Sequence, residues 1–65
     1  MLRYEQIIKE FLENNQSKLL GMQNDGRILV EVEKEQKIYR VELLEDSLII
    51  IKNVHDEIEY KIELK

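Results

Sequence analysis

The chain of 65 residues has no cysteine and no proline, and it contains only two glycines and four aromatic residues. The lack of cysteine excludes disulfides, zinc–thiolate sites and thiol catalysis, and it fits a reducing compartment. The first residues, which include Arg3 and Glu5, show no basic region followed by an apolar run. No stretch approaches the roughly 18 apolar residues of a membrane span. We therefore expect a cytoplasmic protein without a signal peptide or a membrane segment.

An excess of basic residues is missing as well. The 10 lysines and arginines stand against 14 acidic residues, and the formal net charge is −4. Because the basic residues are scattered along the sequence, a phosphate backbone would repel the chain, and nucleic-acid binding is not expected. A single domain over residues 1–65 hides only about 60% of its unfolded surface, so we expect stabilisation by a second copy in a homodimer.

What the chain does have is a concentrated apolar run over residues 48–51, reading Leu-Ile-Ile-Ile. Three of the four side chains are β-branched and the run is short, which favours a strand over residues 47–53. Apolar side chains on both faces are typical of a strand that is covered on both sides, so we predict a central position in the sheet. Which pair of these residues faces the helix stays open.

The first segment has helical periodicity. Its apolar residues recur at helical spacing and form a stripe on one side, while polar residues fill the opposite side. The pattern predicts an amphipathic helix over residues 2–14 that ends at Asn14 and Asn15. An isolated helix of this length would fray, so it must be stabilised by packing on the sheet. The stripe consists of Tyr4, Ile7, Ile8, Phe11 and Leu12.

Two hairpins follow, each with a predicted register. Asn24, Asp25 and Gly26 are expected to form a three-residue loop, a type I turn with Gly26 left-handed and a bulge, between strands 18–23 and 27–34. This loop puts Leu20 and Met22 on the face of Ile28. The second turn is predicted near Glu35 and Gln36, before a strand over residues 37–44. The expected cross-strand pairs are Val32 with Tyr39, Val30 with Val41, Ile28 with Leu43 and Glu31 with Arg40.

Further turns are predicted at Glu45 and Asp46 and between Asn53 and Asp56, followed by an alternating strand over residues 57–64. The predicted fold class is α+β, with the N-terminal amphipathic helix packed on an antiparallel β-meander of four to five strands. The predicted core face carries Leu20, Ile28, Val30, Val32, Tyr39, Val41, Leu43, Ile58, Tyr60 and Ile62.

The sheet face turned away from the helix is the predicted interaction surface. A barrel that closes on itself, a second copy or another protein could cover its apolar side chains. The interface residues predicted there are Leu29, Ile38, Leu44, Ile49 and Ile51.

The reactive residue types form no recognisable catalytic or metal motif. His55 is the single histidine and lies in a predicted turn, and neither Ser17 nor Ser47 has the glycine-flanked turn of a nucleophile elbow. Rows of glutamates at period two are more typical of solvated strand faces than of cation sites. We predict no catalytic residue, no cofactor and no metal.

These observations predict a small non-enzymatic protein-interaction module, an adaptor, inhibitor or regulator that acts as a homodimer and binds a protein partner. A helix followed by five antiparallel strands also resembles in outline the Sm-like small barrels, which implies RNA binding, although Gly21 and Gly26 are the only glycines and the charge is acidic. The sequence also fits an SH3-like barrel that binds nucleic acid, or an acidic nucleic-acid mimic that inhibits a nucleic-acid enzyme. A short chain rich in isoleucine, glutamate, lysine and asparagine and without cysteine fits a bacterial or mobile-element origin.

Overall fold

A computed structural model describes residues 4–64 and confirms the predicted architecture, one helix packed on an antiparallel meander. Leu2 and Arg3, the predicted start of the helix, and Lys65 lie outside the described residues. The five strands form one sheet in the order β1-β2-β3-β4-β5. The elements are α1 (Glu5–Asn14), β1 (Ser17–Met22), β2 (Arg27–Val32), β3 (Glu35–Leu44), β4 (Leu48–Lys52) and β5 (Ile58–Glu63).

The apolar stripe of α1 packs on the sheet as its periodicity predicts. Ile8 and Leu12 are fully buried, Tyr4 and Phe11 pack beside them, and Ile7 is partly exposed. The helix ends at Asn14. The left-handed residue after it is Gln16, with φ 63°, rather than one of the asparagines. Asn15 instead donates its Nδ2 hydrogen to the Phe11 carbonyl at 2.8 Å, which satisfies an orphan carbonyl of the last turn.

The first hairpin confirms the three-residue loop and corrects the face of Leu20. Gly26 has φ 95° and its N–H donates to the Gln23 carbonyl, as a type I turn with a left-handed glycine requires. Met22 then pairs with Ile28 as expected. A bulge at Leu20 shifts the register, so that Leu19 rather than Leu20 pairs with Val30. Leu19 and Met22 therefore pack on the core, and Leu20 is partly exposed.

The predicted register of the second hairpin is wrong by four residues. Val32 pairs directly with Glu35, so the turn consists of Glu33 and Lys34, with φ 51° and 70°. Val30 pairs with Lys37 instead of Val41, Ile28 pairs with Tyr39 instead of Leu43, and Glu31 pairs with Gln36 instead of Arg40. In the same register, Leu29 pairs with Ile38 and Arg27 pairs with Arg40. The faces remain those predicted, because a shift of four residues preserves the alternation.

The apolar strand β4 is not central, because it lies between β3 and the outermost strand β5. Its register settles which residues face the helix. Ile49 and Ile51 pair with core residues on both sides and are fully buried. Ile50 lies on the opposite face, between Glu42 and Lys61, and is only 6% exposed.

The core lies between α1 and one face of the sheet. It is a single cluster of buried side chains, with aromatic edge contacts between Tyr60 and both Phe11 and Tyr39. Leu20, Leu43 and Ile58, which were predicted for this core, are partly exposed instead. The fully or nearly buried members are Ile8, Leu12, Ile28, Val30, Tyr39, Ile49, Ile51 and Ile62.

Strand β3 belongs to two halves of the sheet. β2 pairs with its first part, up to Arg40, and β4 pairs with its second part, from Arg40 to Leu44. Within residues 4–64, no strand pairs with residues 35–39 on the side facing β4, and β1 does not pair with β5. The sheet is therefore open rather than closed into a barrel, and β3 has a free segment at residues 35–39.

Candidate interaction surface

The open face is the side of the sheet turned away from α1. A row of three cations, the basic row, crosses its middle, because Arg40 pairs with Arg27 of β2 on one side and with Lys52 of β4 on the other. Opposing side chains of neighbouring strands lie about 5 Å apart at their Cβ atoms, so three like charges in register repel one another.

The two outer members of the basic row have acidic partners. A nitrogen of the Arg27 guanidinium lies 2.8 Å from an Asp25 carboxylate oxygen. Hydrogen bonds donated by the Arg27 side chain and backbone lower the pKa of Asp25 below the usual value for an aspartate. Lys52 Nζ lies 3.3 Å from Glu42 and 3.5 Å from Asp56. The hydrogen bond with Glu42 raises the pKa of Lys52.

Arg40, the middle member, has no ion-pair partner among residues 4–64. Arg40 is exposed, and both of its cationic neighbours are held in ion pairs. An unpaired arginine between two other cations is the most favourable position on this face for an external anion.

An apolar area adjoins the basic row. Ile38 is 54% exposed and Val54, in the turn after β4, is 73% exposed. Both line a depression of about 430 Å³, whose other lining residues are Arg27, Tyr39, Arg40, Asn53 and Asp56. The Asp56 carboxylate lies 3.5 Å from Lys52 Nζ. The surface therefore combines exposed aliphatic carbon with an unpaired positive charge.

A second depression lies on the β1 side of Ile38. It has a volume of about 400 Å³, is lined largely by apolar atoms of Leu29, Ile38 and Met22, and has Gly21 at its floor. A Cβ added at Gly21 would meet nothing within 4 Å. The missing side chain thus leaves open space above the sheet.

The structure separates the five predicted interface residues into two groups. Leu29, Ile38 and Leu44 lie on the open face, and Leu44 is 44% exposed. Ile49 and Ile51 do not lie there, since they face the helix and are buried in the core. The apolar open-face members of that strand are Leu48, which pairs with Leu44, and Ile50.

Sequence reasoning missed one residue of this surface, Val54, and the neighbours of another, Arg40, which alternation placed on the correct face. Val54 lies in an irregular turn, where alternation gives no signal for the position of a side chain. Arg40 was expected beside Glu31 and would then have been neutralised. Only the true register places it between two cations.

The residues with catalytic potential form hydrogen bonds with groups two or three residues away in the sequence. The Ser17 hydroxyl donates to the Asn15 carbonyl and the Ser47 hydroxyl to the Leu44 carbonyl. The backbone N–H of His55 donates to Asn53 Oδ1 in an exposed turn. Among the described residues, no group of acidic or histidine side chains could hold a metal ion.

The helix is ten residues long, and residues 4–64 contain no helix with the length and apolarity to cross a membrane. Comparison of the chain with protein-family models, with curated protein sequences and with solved structures finds no match.

Proposed function

We propose that the chain is a non-enzymatic protein-interaction module of the cytoplasm, acting as an adaptor, inhibitor or regulator. The observation that supports this role is the open face, where Ile38, Val54 and Leu44 present aliphatic surface beside a basic row. Exposed apolar side chains grouped on one face are typical of docking surfaces.

The proposal includes a homodimer, for which two geometries exist. Two copies packed face to face would have a twofold axis in the plane between the sheets, so residues near the centre would meet their own copies. Arg40 lies at the middle of the central strand. This packing would therefore press the two basic rows together, which disfavours it.

Pairing of the outermost β5 strands avoids that repulsion. The Leu64 N–H donates to Ser47 beside β4, so by alternation the N–H groups of Lys61 and Glu63 point outward. An antiparallel pair centred on Tyr60 would place Glu59 opposite Lys61 of the second copy, twice by symmetry. We therefore propose a homodimer with a continuous sheet through β5.

Sedimentation velocity across a wide concentration range tests the dimer. Lys61→Pro removes an outward N–H without removing a bond to β4, and it should yield a folded monomer. Lys61→Ala is the matched control that keeps the N–H and should remain largely dimeric. Circular dichroism checks that the proline variant is folded.

Ile38→Glu distinguishes the two dimer geometries. It should leave the backbone pairing of a β5 dimer intact, because Ile38 lies on β3, although its side chain shares a depression with Glu59 of β5. Dissociation by Ile38→Glu would favour the face-to-face dimer instead, and a native chain that stays monomeric at all concentrations would refute the homodimer.

A further inference from the structure

The free segment of β3, residues 35–39, offers backbone hydrogen bonds inside the sheet. β2 occupies one side of this segment, and the pairing with β4 starts only at Arg40. The Val41 N–H donates to the Gly26 carbonyl on the β2 side. By alternation, the backbone groups of Gln36 and Ile38 point to the free side, where an added strand could bind them.

Depressions border this free side. One of about 430 Å³ adjoins Arg40, and another of about 470 Å³ runs past Gln36, Lys37 and Ile38. Tyr39, Asn53 and Val54 line both of them. The acidic Glu59 at the second depression is bound by Asn53 Nδ2 at 2.8 Å. There is thus room for an extended chain beside β3.

The charges around the free segment favour an acidic partner. Arg40 has no acidic partner within residues 4–64 and is flanked by Arg27 and Lys52. A carboxylate placed on Arg40 would form a charge-assisted hydrogen bond with the member of the basic row that has no acidic partner in the described part of the chain, since Arg27 and Lys52 are already paired. Lys37, on the same strand but the opposite face, offers a second exposed cation.

We propose that an extended acidic segment of a partner protein adds as a strand along the free segment of β3. It places a carboxylate on Arg40 and an aliphatic side chain against Ile38 and Val54. This inference rests on the proposed interaction role and names its site and the chemistry of its partner.

A polypeptide fits this site better than a nucleic acid does. The free backbone groups of Gln36 and Ile38 pair with another peptide backbone, for which a sugar–phosphate chain has no equivalent. One unpaired arginine suits one carboxylate, whereas the net charge of −4 repels a polyanion.

The experiment is a titration of the ¹⁵N-labelled full chain, followed by amide chemical shifts, with a defined peptide. The probe is an acetylated and amidated hexapeptide with two central glutamates flanked by two valines on each side. Adjacent glutamates present one carboxylate to each face of the sheet in any register. We expect saturable shifts at Gln36, Ile38 and Arg40.

Matched variants of the peptide and of the protein test which groups make the interaction. A peptide with glutamines in place of the glutamates should bind about tenfold more weakly, and so should the Arg40→Gln protein with the original peptide. Lys9→Gln removes the same charge from an exposed position on α1 and should leave the affinity unchanged. A peptide with every backbone amide N-methylated has no N–H to donate to β3 and should lose most of its affinity.

Three results would overturn the inference: no saturable shifts, equal binding of the glutamate and glutamine peptides, or tighter binding of a ten-thymidine oligonucleotide at Arg40. Shifts confined to β5 would place the docking site at the outer edge and refute the β3 site. The sedimentation experiment reports the dimer without any peptide, so failure of this site and failure of the proposed self-association are distinguished.

Discussion

Asp25 connects the first hairpin loop to the strand that follows it. Its carboxylate accepts a hydrogen bond from the Arg27 N–H at 3.1 Å and another from Arg27 Nε at 2.8 Å. Both bonds are stronger to the ionised carboxylate, and they lower the pKa of Asp25 from the ordinary 3.8. Since the folded-state pKa is depressed, the stabilisation is present above pH 3.8 and is lost as the pH falls through the folded-state value.

The variant Asp25→Asn should therefore lose less stability on acidification than the native chain. The neutral amide keeps a turn-forming oxygen but has no charge to be titrated. The effect is small because the pair is exposed to solvent. Thermal unfolding at neutral pH and near pH 3 measures the difference, with Glu10→Gln as a charge-matched control remote from Arg27. Parallel pH profiles for Asp25→Asn and the native chain would contradict the expectation.

Arg40 shows which side-chain properties follow from the sequence and which need the register. Alternation alone predicts that Leu29, Ile38 and Leu44 share a face, and the structure places them on the open face. The neighbour of Arg40 depends on the pairing of strands, since a shift of four residues exchanges Glu31 for Arg27 beside it. The unpaired charge was therefore not predictable.

At the scale of the element, two tight turns have unusual residues. Glu33 and Lys34 join β2 to β3, and Glu45 and Asp46, followed by Ser47, join β3 to β4. Glu33, Lys34, Glu45 and Asp46 all have positive φ. Hairpin turns of this kind favour asparagine and glycine, because a left-handed backbone costs other residues about 1 kcal/mol or more. The turn at Glu33 was missed because its sequence has no turn signal.

Replacing Lys34 by glycine should raise the free energy of unfolding by about 1 kcal/mol. Lys34 has φ 70°, so glycine relieves the strain at that position. Urea unfolding followed by circular dichroism measures the change.

Lys37→Gly is the matched control for this prediction. Lys37 lies within extended β3, where loss of a side chain should lower stability by about 0.5–1 kcal/mol. Equal destabilisation by both substitutions would show that the turn is not strained.

At the scale of the whole molecule, one core holds the helix and the sheet together. The buried cluster includes Leu12 of α1, Val30 of β2, Tyr39 of β3, Ile51 of β4 and Ile62 of β5. Helical periodicity and alternation predicted these residues for the core, except Ile51, which was predicted for the interface. Leu20 was predicted for the core and is partly exposed because of a bulge that alternation does not reveal.

Because the cluster joins all these elements, the native chain should unfold in one cooperative transition. Ile51→Val removes one methyl group from a fully buried position and should lower the free energy of unfolding by about 0.5–1.5 kcal/mol. The helix signal in far-ultraviolet circular dichroism and the near-ultraviolet signal of the tyrosines should shift together. Earlier loss of the helix signal alone would show that α1 is not cooperatively coupled to the sheet.

The free segment of β3 also limits how assemblies of this protein can grow. A strand that pairs along an outer edge exposes a new edge and can template further copies, as in fibres. A strand added at residues 35–39 would instead enter a gap bounded by β3 and by the turn that carries Asn53 and Val54. Its length is restricted to about five residues, or roughly 17 Å. Occupancy of the gap would therefore saturate at one short segment per copy.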